Sequence, residues 1–580
     1  MTTFFHGRSR SGRGSAHRAS LLRTVGLRAS VCAIALVTIA ASTATAQPDG
    51  ALVQRLDSLA GAGVRENRAV GIVAAVVKGE DTLLLKAYGK SDIEGDVPMT
   101  VDTIIPIGST TKQFTAAAIL QLRDQGKLSL DDDITKWLPD FETRGNKVTL
   151  HRLLDHTSGI ANLGAMPELR AMRLMRNPTV TRDDVYKVIN RHPFQFPTGT
   201  MEIYSNTNFW LLGLIIEKAS GMTYEDYVEM RIFEPLGMTR SMYCNNSETV
   251  PRRAYGYGMR PGFPGRIPPI VHTGTYAGGA LCSTAEDLIT WLQALHGGKV
   301  LAPKSYAEMI TPSTLDDGTP LRYSMGLVVG EDSRGLRYIG HGGGGFGFSS
   351  VTRWYPDAQL AVVVLTNSEP DEITAITEAL AAAVLPVPRP AGPFTGDASP
   401  LVGIYKGLGF DGDMVVEVSQ TPAGIAFSIR GAPAGPLPWI EGWTFRRNST
   451  LLSFRRSANS GPATELRFDT GGDHLILKRQ PKDVTPTIPE EAVVISPGVL
   501  DSYVGEYSSL EVPVKFTITR NADTLYIQPA GESAAPLEAT AQDKFKIGRA
   551  AVVEFDAAKK QMILKRGGRE TVFTKENSPY

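Results

Sequence analysis

Between Ala69 and Val77 the chain reads AVGIVAAVV, and Thr82 to Tyr88 follows across a turn; the two segments read as buried strands of a hairpin. Lys112 to Gln125 (KQFTAAAILQLRDQ) carries apolar residues at helical spacing and stops at Gly126, a natural C-cap. Thr207 to Ala219 (TNFWLLGLIIEKA) is a second helix, closed by Ser220-Gly221. Ala285 to His296 is a third, with Glu286 and Asp287 in its first turn, where the helix dipole favours acids. Ser349 to Trp354 and Leu360 to Thr366 (LAVVVLT) read as strands joined by a turn at Tyr355-Pro356-Asp357-Ala358. A strand pair at each end with helices between predicts one sheet built from both ends of this region, with a helical insert. Trp210 and Trp291 fall in the helical apolar stripes and are expected in the core.

The pattern changes at Pro386 to Pro400 (PVPRPAGPFTGDASP), where Pro and Gly mark a linker over 386–397. Beyond it, short alternating strands replace helical periodicity. A faint echo pairs Val402-Gly403-Ile404-Tyr405 with Val504-Gly505-Glu506-Tyr507, and Leu475 to Arg479 (LILKR) with Met562 to Arg566 (MILKR). Two antiparallel β modules are expected, over 398–482 and 498–577, with one larger barrel made of both halves as the alternative.

Composition narrows the class. The chain has 580 residues, enough for roughly three to five domains, and is 42% hydrophobic and 21% charged, as globular proteins are. Sixty basic groups balance sixty acidic ones, so no charge excess points to nucleic acid. Three cysteines are too few for a disulfide scaffold, and whether Cys244 and Cys282 pair stays open. Residues 1–46 carry six arginines and no acid. They continue into an apolar run from Val31 to Ala41, too short to span a bilayer, and an Ala44-Thr45-Ala46 exit. This reads as a secretory signal peptide and predicts a periplasmic or extracellular protein; an organellar transit peptide is the rival. No lipobox surrounds Cys32 and no later segment is long and apolar enough to span, so no stable membrane anchor is expected.

Three motifs carry candidate chemistry. Ser109-Thr110-Thr111-Lys112 stands at the mouth of an amphipathic helix, where a spacing of three puts Ser109 and Lys112 on one face. A serine hydroxyl needs a nearby base to become a nucleophile, and an amine can supply one. Tyr204-Ser205-Asn206 precedes the Trp210 helix, and on an extended segment its first and third side chains share one side. A phenol can relay a proton, and an amide can hold a substrate carbonyl. In Gly340-His341-Gly342-Gly343-Gly344-Gly345-Phe346-Gly347 the glycines let a substrate approach main-chain N–H groups. Its dinucleotide-fingerprint spacing lacks the opening helix, and its HGGG lacks the G-x-S-x-G partner of α/β-hydrolases. Each motif alone recurs by chance.

Taken together, and in this order, they resemble the serine β-lactamase and penicillin-binding protein superfamily, in its class C β-lactamase-like branch. Leu153 to Ile160 (LLDHTSGI), Pro235-Leu236-Gly237-Met238, and Ala277-Gly278-Gly279 leading into Ser283 to Leu288 extend the likeness over residues 50 to 385. The resemblance implies an α+β fold: an antiparallel sheet flanked by helices with an all-helical subdomain, here a hydrolase domain over 47–385. It implies Ser109 as acylated nucleophile, Lys112 as its proton partner and Tyr204 as base for acylation or deacylation. Asn206, His341 and Gly343 would meet substrate, and the N–H groups of Ser109 and Gly344 would form the oxyanion hole. The C-terminal modules look like the lipocalin-like barrels appended to some D-aminopeptidases.

One residue departs from the β-lactamase pattern: His341 stands where a lysine usually supplies a fixed cation for the substrate carboxylate. Imidazole is largely neutral near pH 7, and loss of a charge-assisted hydrogen bond costs about one to two decades in affinity. The departure favours an esterase or peptidase over a β-lactamase. Lys112 carries its own requirement. At an ordinary pKa of about 10.4 only about one lysine in 2,500 is neutral at pH 7, so burial must lower it. His151 and His156 are spaced wrongly for a helical metal pair and are read as structural, and Asp131-Asp132-Asp133 as a helix start or solvated turn.

The expected function is an exported serine hydrolase cleaving an ester or amide (peptide) bond through a Ser109 acyl-enzyme. A β-lactamase or penicillin-binding carboxypeptidase is the alternative within the family. A catalytically inactive protein binding peptidoglycan fragments or lipids is the alternative outside it. The partner is a small-molecule or peptide substrate, with no nucleic acid, and neither a metal nor an organic cofactor is indicated. The β modules are expected to restrict access to the cleft.

Overall fold

Strands Gly71–Lys78 and Leu360–Thr366 pair antiparallel from Ile72 opposite Thr366 to Lys78 opposite Leu360, at the centre of an eight-stranded sheet. The computed structural model describes residues 50–244, 250–260, 263–368, 373–385, 394, 396–409, 412–421, 424–429, 432–447, 450–456, 461–470, 474–481, 495–509, 515–521, 524–529, 535–547, 551–566 and 569–576. The leader 1–46 and most of the Pro/Gly-rich stretch 386–397 lie outside the described residues.

Both central strands are apolar except at their last residues, Lys78 and Thr366, because the sheet is covered on both sides, and the period of two sorts their residues. Val73, Ala75, Val77, Ala361, Val363 and Leu365 face one core, against helices Thr111–Asp124 and Ala285–His296. Ile72, Ala74, Val76, Leu360, Val362 and Val364 face the other, against helices Gly50–Arg65 and Ile373–Val384. One sheet made from the two ends of this region with helices inserted between, as the hydrophobic pattern predicts, is what forms. The α+β class expected from the resemblance holds.

Local signals decide where elements begin and end. Gly126 and Gly221 take positive φ (69° and 75°) just past the helices Thr111–Asp124 and Asn206–Ser220, a conformation that costs glycine no steric strain. Asp133, last of the acidic run, caps the short helix Ile134–Trp137 by accepting from the Thr135 N–H at 3.0 Å. Trp210 and Trp291 are fully buried. Cys244 and Cys282 form a disulfide with Cα atoms 5.3 Å apart, packed with Ile104.

Beyond the hydrolase-like half, the strands form two separate sheets rather than one larger barrel. The first has nine antiparallel strands between Gly403 and Arg479; the second is a closed eight-stranded barrel from Gly505 to Lys575. The opening echo is structural. Tyr405 donates its hydroxyl to the Leu401 carbonyl at 2.8 Å, and Tyr507 does the same to Tyr503 at 2.9 Å. The closing echo is not. Tyr405 pairs with Arg479 inside LILKR, whereas Tyr507 pairs with Lys575 on the strand after MILKR. The barrel interior is filled by Ile518, Ile527, Val553, Met562 and Phe573.

The nine-stranded sheet packs on the flank of the preceding half of the chain. Phe196 and Ile203 enter its core beside Phe445 and Leu475, and the His474 N–H donates to the Glu202 carbonyl at 3.0 Å. Arg467 pairs with Asp317 at 3.3 Å, and Arg446 pairs with Glu331.

Candidate active site

Gly108–Thr110 forms a tight 3-10 turn whose Gly108 has φ +50°, and the helix Thr111–Asp124 follows at once. The turn is pinned from below. Ser350 donates its hydroxyl to the Ile107 carbonyl at 2.7 Å and bonds the Thr110 hydroxyl at 2.8 Å. Ser109 and Lys112 therefore share one side, as their spacing predicts, with Lys112 Nζ 3.0 Å from Ser109 Oγ.

Lys112 is fully buried, and burial alone pushes its pKa well below the ordinary amine value. Its other two partners, Asn206 Oδ1 and the Gly278 carbonyl, each accept at 2.7 Å. Both are pure acceptors. An unprotonated amine has two N–H groups to give them, and its lone pair then faces the Ser109 hydroxyl. The arrangement suits a base that accepts the serine proton.

Tyr204 lies in the extended segment before the helix Asn206–Ser220, and its ring sits 4.7 Å from Lys112 Nζ. Asn206 is the first residue of the helix, and Ser205 between the two is extended (φ −137°, ψ 115°), so Tyr204 and Asn206 both turn toward Lys112. His156, read as structural, packs at a tilt against Tyr204 with ring centroids 4.4 Å apart, and also touches Phe209 and Tyr323. Its Nδ1 accepts from the Ser205 N–H at 3.4 Å. Burial, then the charges of Lys112 and His341, push its pKa well down. A histidine in LLDHTSGI gives no sequence sign of this contact, which joins residues 48 apart. The Gly278 carbonyl was equally hidden, since a main-chain acceptor has no side-chain signature.

The glycine-rich segment is a strand, Arg337–Gly345, not a loop, and pairs with Phe348–Tyr355 from Ile339 opposite Trp354 to Gly345 opposite Phe348. His341 is buried on it. Its Nδ1–H donates to the Gly342 carbonyl at 2.5 Å, which leaves Nε2 to accept from the Tyr323 hydroxyl at 3.0 Å. Burial, reinforced by the Lys112 charge, lowers its pKa to about 3. Imidazole at this position is neutral and doubly engaged, so it offers no fixed cation.

The strand runs against the Ser109 turn with no room to spare. A Cβ on Gly343 would lie 2.0 Å from the Ile107 carbonyl oxygen and 2.8 Å from the Ser109 nitrogen. One on Gly108 would lie 3.0 Å from the Gly344 nitrogen, whereas one on Gly342 would meet nothing nearer than 3.6 Å. Gly343→Ala is therefore expected to push strand and turn apart and lower kcat/KM by about 100-fold or more, the usual cost of a misplaced reacting group or lost oxyanion donor. Gly342→Ala is expected to stay within about threefold of wild type, because no atom must move. Parallel kinetics on the two variants check this.

Ser109, Asn206 and Gly344 open onto a cleft of about 500 Å³. Lys112 and His341 are buried. The cleft's described lining residues fall between Pro106 and Phe348, and the nine-stranded sheet meets this half of the chain at Glu202, two residues before Tyr204.

The β-lactamase family model matches residues 56–385. Penicillin-binding protein 4* of Bacillus subtilis is 29% identical over 307 residues, 51% of this chain and 67% of that protein. The D-aminopeptidase of Cereibacter sphaeroides is 28% identical over 399 residues, 68% of this chain and 75% of its own length. Among solved structures, a D-stereospecific amidohydrolase from a Streptomyces species superposes with a TM-score of 0.50 at 30% identity, over 58% of this chain and 99% of that one. With a family model covering more than half its length and a cleft-lining serine bonded to a buried lysine, this chain belongs to the β-lactamase family and is one of its serine hydrolases.

Proposed function

We propose that the protein is an exported hydrolase that cleaves ester or amide bonds of small D-series acyl donors through an acyl-enzyme on Ser109. The observation that carries the reading is the buried Lys112 amine 3.0 Å from Ser109 Oγ, with two pure acceptors taking its N–H groups. In the first step Ser109 Oγ attacks the substrate carbonyl and its proton passes to Lys112 Nζ. The tetrahedral oxyanion is met by the N–H groups of Ser109 and Gly344, which need no reorganisation to receive it. The leaving group departs with a proton relayed through Lys112 and Tyr204. Water then attacks the ester on Ser109, passing its proton to Tyr204 as Tyr204 passes its own to Lys112, and Lys112 returns a proton to Ser109 Oγ as the acyl group departs as the acid. Asn206 holds Lys112 through its oxygen and turns its amide N–H toward the substrate carbonyl.

The D-series follows the D-aminopeptidase and the D-stereospecific amidohydrolase that this chain resembles. The neutral His341 argues against a carboxylate anchor of the β-lactamase kind. Export rests on the basic, briefly apolar leader and agrees with the Cys244–Cys282 disulfide, since such bonds persist in oxidising compartments.

The test is a panel of D- and L-aminoacyl amides, small esters and a chromogenic cephalosporin against wild type and Ser109→Ala. Turnover of D over L substrates that vanishes in Ser109→Ala is expected. Cephalosporin turnover matching that of esters would instead make it a β-lactamase. No Ser109-dependent turnover of any substrate would leave a binding protein.

A further inference from the structure

Gly278, whose carbonyl holds Lys112, belongs to the short helix Tyr276–Gly279. The Ala280 N–H closes on the Tyr276 carbonyl at 2.9 Å, and the next two carbonyls are taken by the helix Thr111–Asp124 instead. Thr115 stands three residues after Lys112 and so on the same side of that helix. The two side chains grip adjacent carbonyls: Thr115 Oγ1 donates to that of Ala277 at 2.6 Å, and Lys112 Nζ to that of Gly278 at 2.7 Å. A hydroxyl has one proton to give, and the Ala277 carbonyl takes it. The Tyr224 hydroxyl, 2.8 Å from Thr115 Oγ1, is therefore a donor to it. Thr115, Tyr224 and Ala277 are all fully buried.

Tyr276 fixes the other end of the turn. Its φ is +33°, a conformation that a residue with a Cβ keeps only where its surroundings hold it. Its hydroxyl donates to Glu217 Oε1 at 2.6 Å. Arg182 pairs with the same oxygen at 2.6 Å and lies 4.7 Å over the Tyr276 ring. Gly213 makes the room: a Cβ there would lie 2.4 Å from Tyr276 Cε1 and 2.6 Å from Ala277 Cβ. Gly213 and Glu217 both belong to the helix Asn206–Ser220, whose first residue is the other acceptor of Lys112. One helix thus sets one acceptor of Lys112 directly and the other through Tyr276.

We infer that Thr115 and Tyr276 are positioning residues for acylation, holding the Ala277–Gly278 turn so that its carbonyl keeps one Lys112 N–H and the amine lone pair stays on Ser109. The inference rests on the hydrolase reading above and assigns the residues that keep its base aligned. Were the Gly278 carbonyl to drift, the freed N–H would turn to Ser109 Oγ. The amine would then donate to the nucleophile instead of accepting its proton. Thr115 and Tyr276 act through Lys112, not on the substrate.

The test is the rate and the stoichiometry of fluorophosphonate labelling at pH 7 in the full-length protein, read by intact mass. Thr115→Val keeps the side-chain shape and removes the hydroxyl; Tyr276→Phe keeps the ring and does the same. Each is expected to reach one adduct per chain, but about ten- to a hundredfold more slowly than wild type, the scale of a displaced reacting group. Thr115→Ser, which restores the hydroxyl, is expected to recover most of the rate. Should Thr115→Val not fold, Tyr276→Phe decides. Labelling at the wild-type rate in either variant would overturn the assignment. So would a loss seen only as fewer labelled chains reacting at the wild-type rate, because the two residues would then serve folding alone. A wild-type chain that takes no label at Ser109 fails the hydrolase reading instead, so the two failures give different results.

Discussion

Replacing Ser109 with alanine is expected to lower kcat/KM for every ester and amide substrate by about 10⁵- to 10⁶-fold, while thermal unfolding shifts by no more than about 0.5 kcal/mol. The asymmetry follows from where the hydroxyl sits. Its oxygen opens onto the cleft and bonds Lys112, so alanine removes one partly exposed group and leaves no cavity in the core. What remains are the N–H groups of Ser109 and Gly344, which can polarise a carbonyl without a nucleophile to attack it. A loss of only tenfold would mean that another group performs the attack.

Lys112→Ala is expected to cost nearly as much, and the double variant with Ser109→Ala little more than either alone, because nucleophile and base act as one unit. Lys112→Arg is not expected to rescue it, since a guanidinium stays protonated at every working pH. The pH dependence has a definite sign. Burial lowers the Lys112 pKa, so in the free enzyme kcat/KM rises as pH climbs through a value well below the ordinary 10.5 and the amine loses its proton. Stability follows the same proton. Below the folded-state pKa both states hold it and the full penalty of burying the ammonium applies. Between that value and about 10.4 the unfolded chain binds more protons, so stability increases with pH until the penalty is gone. A rate that still rises with an ordinary amine pKa would move acylation to Tyr204.

Much of this was legible before any fold was known. Ala285–His296 forms over the residues its periodicity marks, because its acidic first turn and apolar stripe both agree with burial against the sheet. The sheet joining both ends of the region was readable because Val73–Val77 and Ala361–Leu365 are apolar on both faces, and only a covered, central position accommodates that. Ser109, Lys112, Tyr204 and Asn206 were nameable because side-chain chemistry at short spacing leaves a trace. The rest depends on contacts between distant segments. His156 meets Tyr204 across 48 residues, Tyr323 meets His341 through a strand pairing, and Gly278 acts through its carbonyl. The MILKR echo failed for a related reason: five similar residues do not encode which strand they will pair with.

The most direct test of the central claim, a serine made reactive by a neutral buried amine, is intact mass after exposure to a fluorophosphonate at pH 7. The account predicts one adduct per chain, mapping to Ser109, absent in Ser109→Ala and formed far more slowly in Lys112→Ala. An unmodified wild-type chain, or an adduct that persists without Ser109, would contradict it.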